Sequence, residues 1–311
     1  MNITPAHSSA AARTDQYSGW VGRTQKATDI ASQEKADRLT TLLAEVATCA
    51  LPSAESEEPL FPLGHWLQFT EDVALADTGT DGHPALGGFM PPVSGSRRMW
   101  AGSSLQFHGP IWPGQQLNRE TMIESITEKS GRSGALVFVR LRHAISADGV
   151  PALTDRHTIV YRDAPTRTGD DADTTSGSAA APRPDTEVPA GWEWSRRVRP
   201  GPVMLFRYSA LTFNSHRIHY DHPYTTTVER YPGLVVHGPL IASLLLRAFM
   251  DAAPDEPVTA YEFTARSPLF ASEQVHLLGR RTDARTHELA AIGPADTVVM
   301  QAVVTTASTA A

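Results

Sequence analysis

The sequence predicts an α+β fold made of two similar units, each with a helix followed by about four strands. In each half of the 311 residues, one helical pattern precedes a series of strand-like segments. A stretch almost without large apolar side chains, at 164–190, separates the two halves. The length also fits two ordinary domains better than one small domain.

The unit boundaries follow from changes in composition along the chain. Residues 1–15 are small and polar and are predicted to be a disordered tail. The first unit is predicted over 16–163 and the second over 191–311. Between them, 164–190 contains Val188 as its one large apolar residue among Ala, Thr, Asp, Gly and Pro. Such a segment buries too little surface to offset its ordering entropy, so we expect a linker.

The first unit contains a predicted helix at 33–49 and four predicted strands. Four apolar residues of the helix recur at the i, i+3, i+4, i+7 spacing of an amphipathic helix: Leu39, Leu42, Leu43 and Val46. The Gly-, Pro- and Asp-rich residues at 78–96 predict a loop. The strands are predicted at 99–107, 117–126, 135–144 and 153–162.

The second unit contains a helix that begins at Gly238 and four further strands. Pro239 follows in the first turn, where its missing N–H costs nothing. Residues 240–250 are apolar nearly all round, which predicts a helix buried on every side. The strands are predicted at 258–266, 274–279, 287–292 and 297–305.

A short repeat links the two units. The stretches LQFHGPIWPGQQL (105–117) and FTARSPLFASEQV (263–275) share a central proline, two large apolar residues and a glutamine near the end. This similarity suggests two copies of one structural unit.

Composition excludes several classes of function. The net charge is −7 and no basic stripe occurs, so nucleic acid is not an expected partner. The longest apolar stretch, at 240–250, is interrupted by Ser243 and Arg247 and is too short to span a bilayer. With no signal peptide visible either, we expect a cytoplasmic protein with no membrane contact. A single cysteine, Cys49, excludes an intrachain disulfide framework and a cysteine zinc site, and we expect it to be a buried apolar residue.

The segment FNSHRIHYDHPY (213–224) is the most unusual part of the sequence, because His216, His219 and His222 fall within seven positions. On one helix the first and third rings would diverge by about 120°, and no HExxH arrangement completes a coordination set. We therefore expect no metal. Proton transfer needs only one positioned histidine with a polar neighbour, and Asn214 could face His219. Asp221 could orient a histidine or cap the segment.

The start of the second helix is a candidate binding site for an anion. The sequence YPGLVVHGPL places Gly238 and the first-turn amides at the positive end of this helix. A glycine there lets a ligand approach the backbone closely. The first-turn amides therefore suit an anion or a developing oxyanion.

These segments resemble a known family. FNSHRIHYDHPY followed by YPGLVVHGPL resembles the hydratase 2 motif of MaoC-like enzymes, S-G-D-x-N-P-[IL]-H followed by a V-H-G-M-L helix start. The two-domain branch, hydroxyacyl-thioester dehydratase type 2, which includes mesaconyl-C4-CoA hydratases, is more similar still. RRMWAGSSLQFHGPIWPGQQL and TEKSGRSGALVFVRLRHAI also resemble that branch, so the resemblance covers roughly residues 20–305.

The resemblance implies a double hot-dog fold, in which each unit is a long helix wrapped by an antiparallel sheet. It implies that the first unit has lost the catalytic motif and shapes the acyl pocket. His219 matches the catalytic histidine of the family and Gly238 the glycine of the oxyanion hole. Asn214 stands where the wider family has an aspartate, and His216 where it has an asparagine. An amide cannot transfer a proton, so Asn214 is expected to hold the water or to orient His219.

The activity implied is reversible addition of water to the 2,3-double bond of an enoyl-CoA, with a short branched or dicarboxylic acyl group such as mesaconyl-C4-CoA. A coenzyme A or acyl-carrier-protein thioester is the expected partner, no cofactor is expected, and the chain is expected to be a monomer or homodimer. A free carboxylate would need an arginine, and further substrate contacts are expected from three more side chains. The candidates are Arg98, Arg207, Arg217, His216, His237 and Asp221.

Other functions remain open on the sequence. A dehydratase acting on a carrier-protein thioester and a hot-dog thioesterase would use the same fold. A non-catalytic acyl-thioester binding module is the alternative from a different class, although an intact His219 argues against it. A metal-dependent hydrolase is the most distant alternative.

Overall fold

The computed structural model describes residues 15–46, 58–93, 97–131, 134–162, 185 and 187–307. Cys49, nearly all of the predicted tail at 1–15 and most of the predicted linker at 164–190 lie outside these residues. Within the described residues, no helix is both long enough and apolar enough to cross a membrane.

The described residues form one ten-stranded antiparallel sheet and four α-helices. The strands are β1 Thr24–Ile30, β2 Arg97–Phe107, β3 Gln116–Gly131, β4 Gly134–Ala147, β5 Val150–Arg162, β6 Trp194–Val198, β7 Val258–Ala265, β8 Val275–Arg281, β9 Thr286–Ile292 and β10 Val298–Thr306. The helices are α1 Gln33–Leu43, α2 Pro202–Thr212, α3 His222–Thr227 and α4 Gly238–Ala252. Each predicted strand and both predicted helices are present, with bounds shifted by a few residues.

The order of the strands shows that the two halves have the same topology. The order is β1-β3-β4-β5-β2-β7-β10-β9-β8-β6, so the second half repeats the first in mirror order. The halves join where Gly102–Gln106 of β2 pair antiparallel with Ala260–Thr264 of β7. The repeated stretches 105–117 and 263–275 both run from the second strand of a half into the third. The predicted α+β fold of two similar units is therefore confirmed.

Four elements were not predicted from the sequence. Each half begins with a strand, β1 or β6, that precedes its helical part. Strand β1 lies at the sheet edge and alternates between exposed and half-buried residues, so it lacks the apolar alternation of a typical strand. Helix α2 exposes Val203 and Phe206, which obscures its polar face. Helix α3 has only six residues.

The main core is organised around α4, which contacts β8, β9 and β2. Leu240, Leu244 and Leu245 are completely buried, as the apolar sequence predicts. A fully buried leucine stabilises the fold by about 1.5–3 kcal/mol. Helix α1 packs on α2 and α4, and its buried leucines belong to the same core. Part of the inward face of β3, β4 and β5 instead lines a cavity.

Candidate active site

A cavity of about 690 Å³ collects side chains from both units. The second unit contributes Asn214, His216, His219 and Gly238. The lining residues of the first unit come from several segments. They include the loop residue His83, the β2 residues Arg98 to Ala101, and inward-facing residues of β3, β4 and β5. The predicted catalytic residues thus lie together, in a cavity that needs both units.

The three histidines of the motif lie on different pieces of backbone. Helix α2 ends where Phe213 adopts the left-handed conformation, with φ 52°. His216 precedes a 3-10 turn over Arg217–His219, and His222 is the first residue of α3. His222 is exposed, whereas His216 and His219 are buried. Their three-residue spacing therefore does not reflect one helix face.

His219 is held in one tautomer by a backbone carbonyl. Its Nδ1 lies 2.7 Å from the carbonyl oxygen of Val235. Because a carbonyl can only accept a hydrogen bond, Nδ1 carries the proton and Nε2 has a free lone pair. Burial and the nearby His216 lower the pKa of His219 to about 3, although the bond to Val235 acts in the opposite direction. His219 is therefore a neutral base at physiological pH.

His237 supports the ring of His219 from behind. The two rings stack with centroids 3.6 Å apart and an interplanar angle of 20°. The Nε2 atom of His237 lies 2.8 Å from the hydroxyl of Ser209 on α2. Burial, together with the nearby His219 and His216, lowers the pKa of His237 well below its usual value, so this ring is also neutral. In the structure His237 packs under His219 and is not among the residues that line the cavity.

A hydrogen bond from the backbone determines the orientation of the Asn214 side-chain amide. Its Oδ1 accepts a hydrogen bond of 3.0 Å from the backbone N–H of His216. The amide Nδ2, which can only donate, is left for the cavity that Asn214 lines. Asn214 therefore offers hydrogen-bond donors to a water or substrate oxygen and cannot accept a proton from either.

Gly238 begins α4, and the fold does not require a glycine there. A Cβ atom at this position would contact only the carbonyl oxygen of Trp100, at 3.8 Å, and the φ angle lies outside the left-handed region. Gly238 lines the cavity, so a ligand there can approach its backbone. The positive end of the 15-residue helix meets the cavity here, which suits a thioester oxygen that gains negative charge.

His83 is a site residue that the sequence did not identify, because it lies in a segment typical of loops. Its ring lies 4.3 Å from the ring of His216. The loop is held to the catalytic segment by the Arg217 N–H, which donates to the carbonyl of Asp81 at 2.8 Å. Burial and the charge of Arg98 lower the pKa of His216 to about 4 and that of His83 well below its usual value.

Asp81, His83 and His216 also form a group whose ligand atoms all lie within 4.8 Å of one another. Such a set of nitrogen and oxygen atoms could hold a divalent cation. The positive charge of Arg98, which acts on both histidines, opposes a cation there. The two histidines are better explained as neutral rings that shape the cavity beside His219.

The other predicted substrate contacts fall in different places. Arg98 lines the cavity. Arg217 forms an ion pair of 2.7 Å with Asp221 and lies over the ring of Tyr224. Asp221 also accepts from the Tyr224 N–H at the start of α3, which is the capping role considered for it. Arg207 is exposed on α2. Among the described residues that line the cavity, Arg217, Asp221 and Arg207 do not occur.

Comparison with known proteins shows that this chain is similar to hydratases and dehydratases. The profile of the family "hydroxyacyl-thioester dehydratase type 2" matches residues 63–271. The chain is 38% identical over 290 residues to the mesaconyl-C(4)-CoA hydratase of Chloroflexus aurantiacus, covering 93% of this chain and 97% of that protein. It is 27% identical over 268 residues to the mitochondrial hydroxyacyl-thioester dehydratase type 2 of Schizosaccharomyces pombe, covering 80% and 87%.

Solved structures share the fold. A MaoC-like dehydratase from Phytophthora capsici superposes with a TM-score of 0.65 at 14% identity, over 95% of this chain and 99% of that one. A conserved hypothetical protein from Mycobacterium tuberculosis, described as having a double hotdog fold, gives 0.55 at 14% identity over 92% and 96%. The predicted double hot-dog fold is therefore confirmed. On the family profile and the 38% identity together, the chain belongs to the hydroxyacyl-thioester dehydratase type 2 family and is a hydro-lyase.

Proposed function

We propose that this enzyme adds water reversibly to the 2,3-double bond of a short branched or dicarboxylic enoyl-CoA such as mesaconyl-C4-CoA. The supporting observation is that the free Nε2 of His219, the amide donors of Asn214 and the N–H of Gly238 all belong to one cavity. A base, a water holder and an oxyanion donor are the groups that conjugate addition of water requires.

In the hydration direction, Asn214 donates a hydrogen bond to the water oxygen and His219 Nε2 accepts a water proton. The resulting hydroxide equivalent bonds to Cβ, and the double-bond electrons move to the thioester oxygen. The Gly238 N–H and the helix dipole stabilise the enolate that forms. The imidazolium then returns the proton to Cα on the same face, so that His219 ends neutral and one water has been added.

The low pKa of His219 suits the second half of this cycle. A buried imidazolium is unfavourable because burial disfavours the charged form. It therefore transfers its proton readily to the enolate carbon. The backbone carbonyl of Val235 keeps the Nδ1 proton in place, so that Nε2 alone exchanges protons.

The acyl group is proposed from the relative with 38% identity, which is a mesaconyl-C(4)-CoA hydratase. Of the three arginines predicted to bind a free carboxylate, Arg98 is the one that lines the cavity.

We also propose the division of labour between the units. Residues 16–163 shape the acyl pocket and residues 191–311 carry the catalytic motif, with 164–190 as a linker. One chain supplies both walls of the cavity, so a monomer suffices, although a homodimer is compatible with it. Molar mass in solution, measured by light scattering, distinguishes the two.

The test is a spectrophotometric assay of enoyl absorbance with crotonyl-CoA and mesaconyl-C4-CoA. Absorbance should fall without release of free thiol, and mass spectrometry should show a gain of one water. Release of free coenzyme A with the double bond intact would identify a thioesterase instead. Binding without either reaction would identify a non-catalytic module, and activity confined to carrier-protein thioesters would change the substrate class.

A further inference from the structure

The first unit presents a row of polar side chains to the cavity. On the inward face of the sheet, Thr121 of β3 lies opposite His143 of β4, which lies opposite Asp155 of β5. His157 follows two residues after Asp155, and Arg119 precedes Thr121 by two on the same face. All five line the cavity. Leu141, Ile145 and Ile159 of β4 and β5 also line the cavity, so what this wall can bind depends on the polar groups that lack a partner.

Four of these side chains, those of Thr121, His143, His157 and Asp155, form hydrogen bonds with one another. His157 Nε2 donates to Asp155 Oδ2 at 2.6 Å, and His143 Nε2 donates to His157 Nδ1 at 3.3 Å. The Thr121 hydroxyl donates to His143 Nδ1 at 2.8 Å, which gives every ring one donor and one acceptor.

The anion at the end of this chain is stabilised by its neighbours. His65 and Trp66 donate to the same Asp155 oxygen. Burial would raise the pKa of Asp155, but the electrostatic interaction with His157 and the hydrogen bonds from His157 and His65 hold it well below its usual range. The chain is therefore a network around one buried carboxylate, in which Oδ2 accepts all three hydrogen bonds and Oδ1 has no partner among the described residues.

Arg119 is not part of this hydrogen-bonded network. Its side chain is 16% exposed, and its nearest anionic partner is Glu71 at 3.9 Å, itself 54% exposed. Its buried Nε has no hydrogen-bond partner among the described residues. Burial lowers the pKa of Arg119, against a smaller opposite effect of Glu71. A desolvated guanidinium with free donors is unfavourable unless an anion binds it.

The surroundings of Arg119 suit an anion on the cavity side. Its planar face packs over Phe69, with the guanidinium carbon 4.8 Å from the ring centroid, which fixes the side chain. His143 is held neutral by burial and by His157, with Asp155 acting in the opposite direction and Arg119 lowering the pKa further. Arg119 is a permanently charged group of this wall, and Thr121 lies two residues further along the same face.

From these contacts we propose that Arg119 binds a carboxylate at the end of the acyl group, in a subsite built by the first unit. The network of Thr121, His143, His157 and Asp155 forms the rigid polar wall of this subsite. The inference deepens the proposed function, on which it rests, because it names the residue that recognises the free carboxylate of a dicarboxylic acyl group. It also assigns the recognition to the unit without the catalytic motif.

The experiment measures binding of saturated, unreactive acyl-CoA thioesters by isothermal titration calorimetry. Butyryl-CoA and succinyl-CoA form one matched pair, and hexanoyl-CoA and adipoyl-CoA form a second pair of greater length. The wild-type enzyme should bind the carboxylated member of at least one pair more tightly. Arg119→Met should weaken that binding about ten- to one-hundred-fold and leave the uncharged member unchanged within about threefold.

Three further variants sharpen the test. Arg140→Met, an exposed arginine on the outward face of β4, is the matched control and should change neither pair. Arg119→Lys keeps the charge without the bidentate fork and should lie between wild type and Arg119→Met. If Arg119→Met does not fold, Arg119→Lys carries the test alone. Arg98→Met tests the rival arginine.

Several outcomes would overturn the subsite. One is that the wild-type enzyme does not distinguish the members of either pair. Another is that Arg98→Met, and not Arg119→Met, removes the preference. A third is that Arg119→Met weakens both members equally, which would indicate a contact with the phosphates of coenzyme A. Failure of the proposed function would give a different result. The wild-type enzyme would not hydrate an enoyl-CoA, while these differences in binding would persist.

Discussion

In the proposed mechanism, Asn214 and His219 divide the work that an aspartate and a histidine are expected to share in the wider family. The oxygen of the Asn214 amide is occupied by the backbone N–H of His216, so its donors are free for the water. His219 Nδ1 is occupied by the carbonyl of Val235, so its Nε2 is free for the proton. Each side chain thus uses one polar atom for a hydrogen bond to the backbone and leaves the other for the reaction. In the proposed mechanism, proton transfer is therefore carried out by His219 alone.

The first prediction concerns the base. His219→Ala should lower kcat about 10²–10⁴-fold for mesaconyl-C4-CoA, because the water then lacks its general base. The measurement is steady-state hydration, with circular dichroism to confirm the fold. His222→Ala removes an exposed histidine of the same motif and is the control that should retain activity. Comparable losses in both variants would contradict the assignment of His219.

The second prediction concerns pH. Because the pKa of His219 is lowered to about 3, the neutral base persists as pH falls, and the acid limb of kcat/KM should lie below about pH 5. In Asn214→Asp an anion beside the ring favours the imidazolium and raises its pKa by about 1–3 units. Activity is lost when the base is protonated, so the acid limb should move to higher pH.

The control for this shift is Asn214→Ala, which removes the amide without adding charge. It should lower the rate and leave the acid limb in place. Identical pH–rate profiles for Asn214→Asp and the wild-type enzyme would show that the side chain at 214 does not face the base.

The third prediction concerns the oxyanion donor. A methyl group at Gly238 meets only the Trp100 carbonyl at 3.8 Å, so Gly238→Ala should fold with nearly unchanged stability. The methyl would occupy the space where the thioester oxygen approaches the N–H, and loss of such a donor costs on the order of 10²–10³ in kcat. Thermal unfolding and hydration kinetics measure the two effects separately. A stable variant with full activity would show that the Gly238 N–H does not bind the enolate oxygen.

At the scale of elements, the loop over residues 78–84 holds the catalytic segment in place. The Ser215 hydroxyl donates to the carbonyl of Gly82, and Arg217 donates to the carbonyls of Asp81 and Thr80. Gly82 adopts φ +90°, and a Cβ there would lie 2.1 Å from the Ser215 carbonyl oxygen. The glycine is required because the two backbones meet at this point.

The fourth prediction follows from this contact. Gly82→Ala should separate the loop from the catalytic segment, displace His83 and His216, and lower kcat at least tenfold. Gly88→Ala is the matched control, since a Cβ at Gly88 meets nothing within 4 Å. Hydration kinetics of both variants provide the measurement. Equal activity of the two would mean that the loop does not position the site.

At the scale of the whole molecule, the junction between β2 and β7 makes one sheet from the two units. Gly102 lies in this junction, and a Cβ there would lie 2.2 Å from the Phe263 carbonyl oxygen. The fifth prediction is that Gly102→Ala lowers the free energy of unfolding by about 1–3 kcal/mol, the usual cost of overpacking. Gly109→Ala, where a Cβ meets nothing within 4 Å, is the control. Urea denaturation monitored by fluorescence measures both, and equal midpoints would contradict the prediction.

Much of the fold could be predicted because apolar periodicity marks elements that are buried. The leucines of α4 and the alternating strands of both halves follow this rule. Strand β1 was missed because an edge strand with half-buried residues carries no such pattern. Helix α2 was missed because its exposed Phe206 disguises its polar side.

The sequence by itself determined the two-unit organisation, the roles expected of His219 and Gly238, and the amide in place of an acid at Asn214. These features are local in the chain, so residue type and spacing carry them. Only the tertiary structure decided that His83 lies against His216 and that Arg119 faces the same cavity as His219. Those residues come from a loop and a strand of the first unit, far along the chain from the motif. They meet because the sheet joins the units, and no spacing in the sequence encodes that contact.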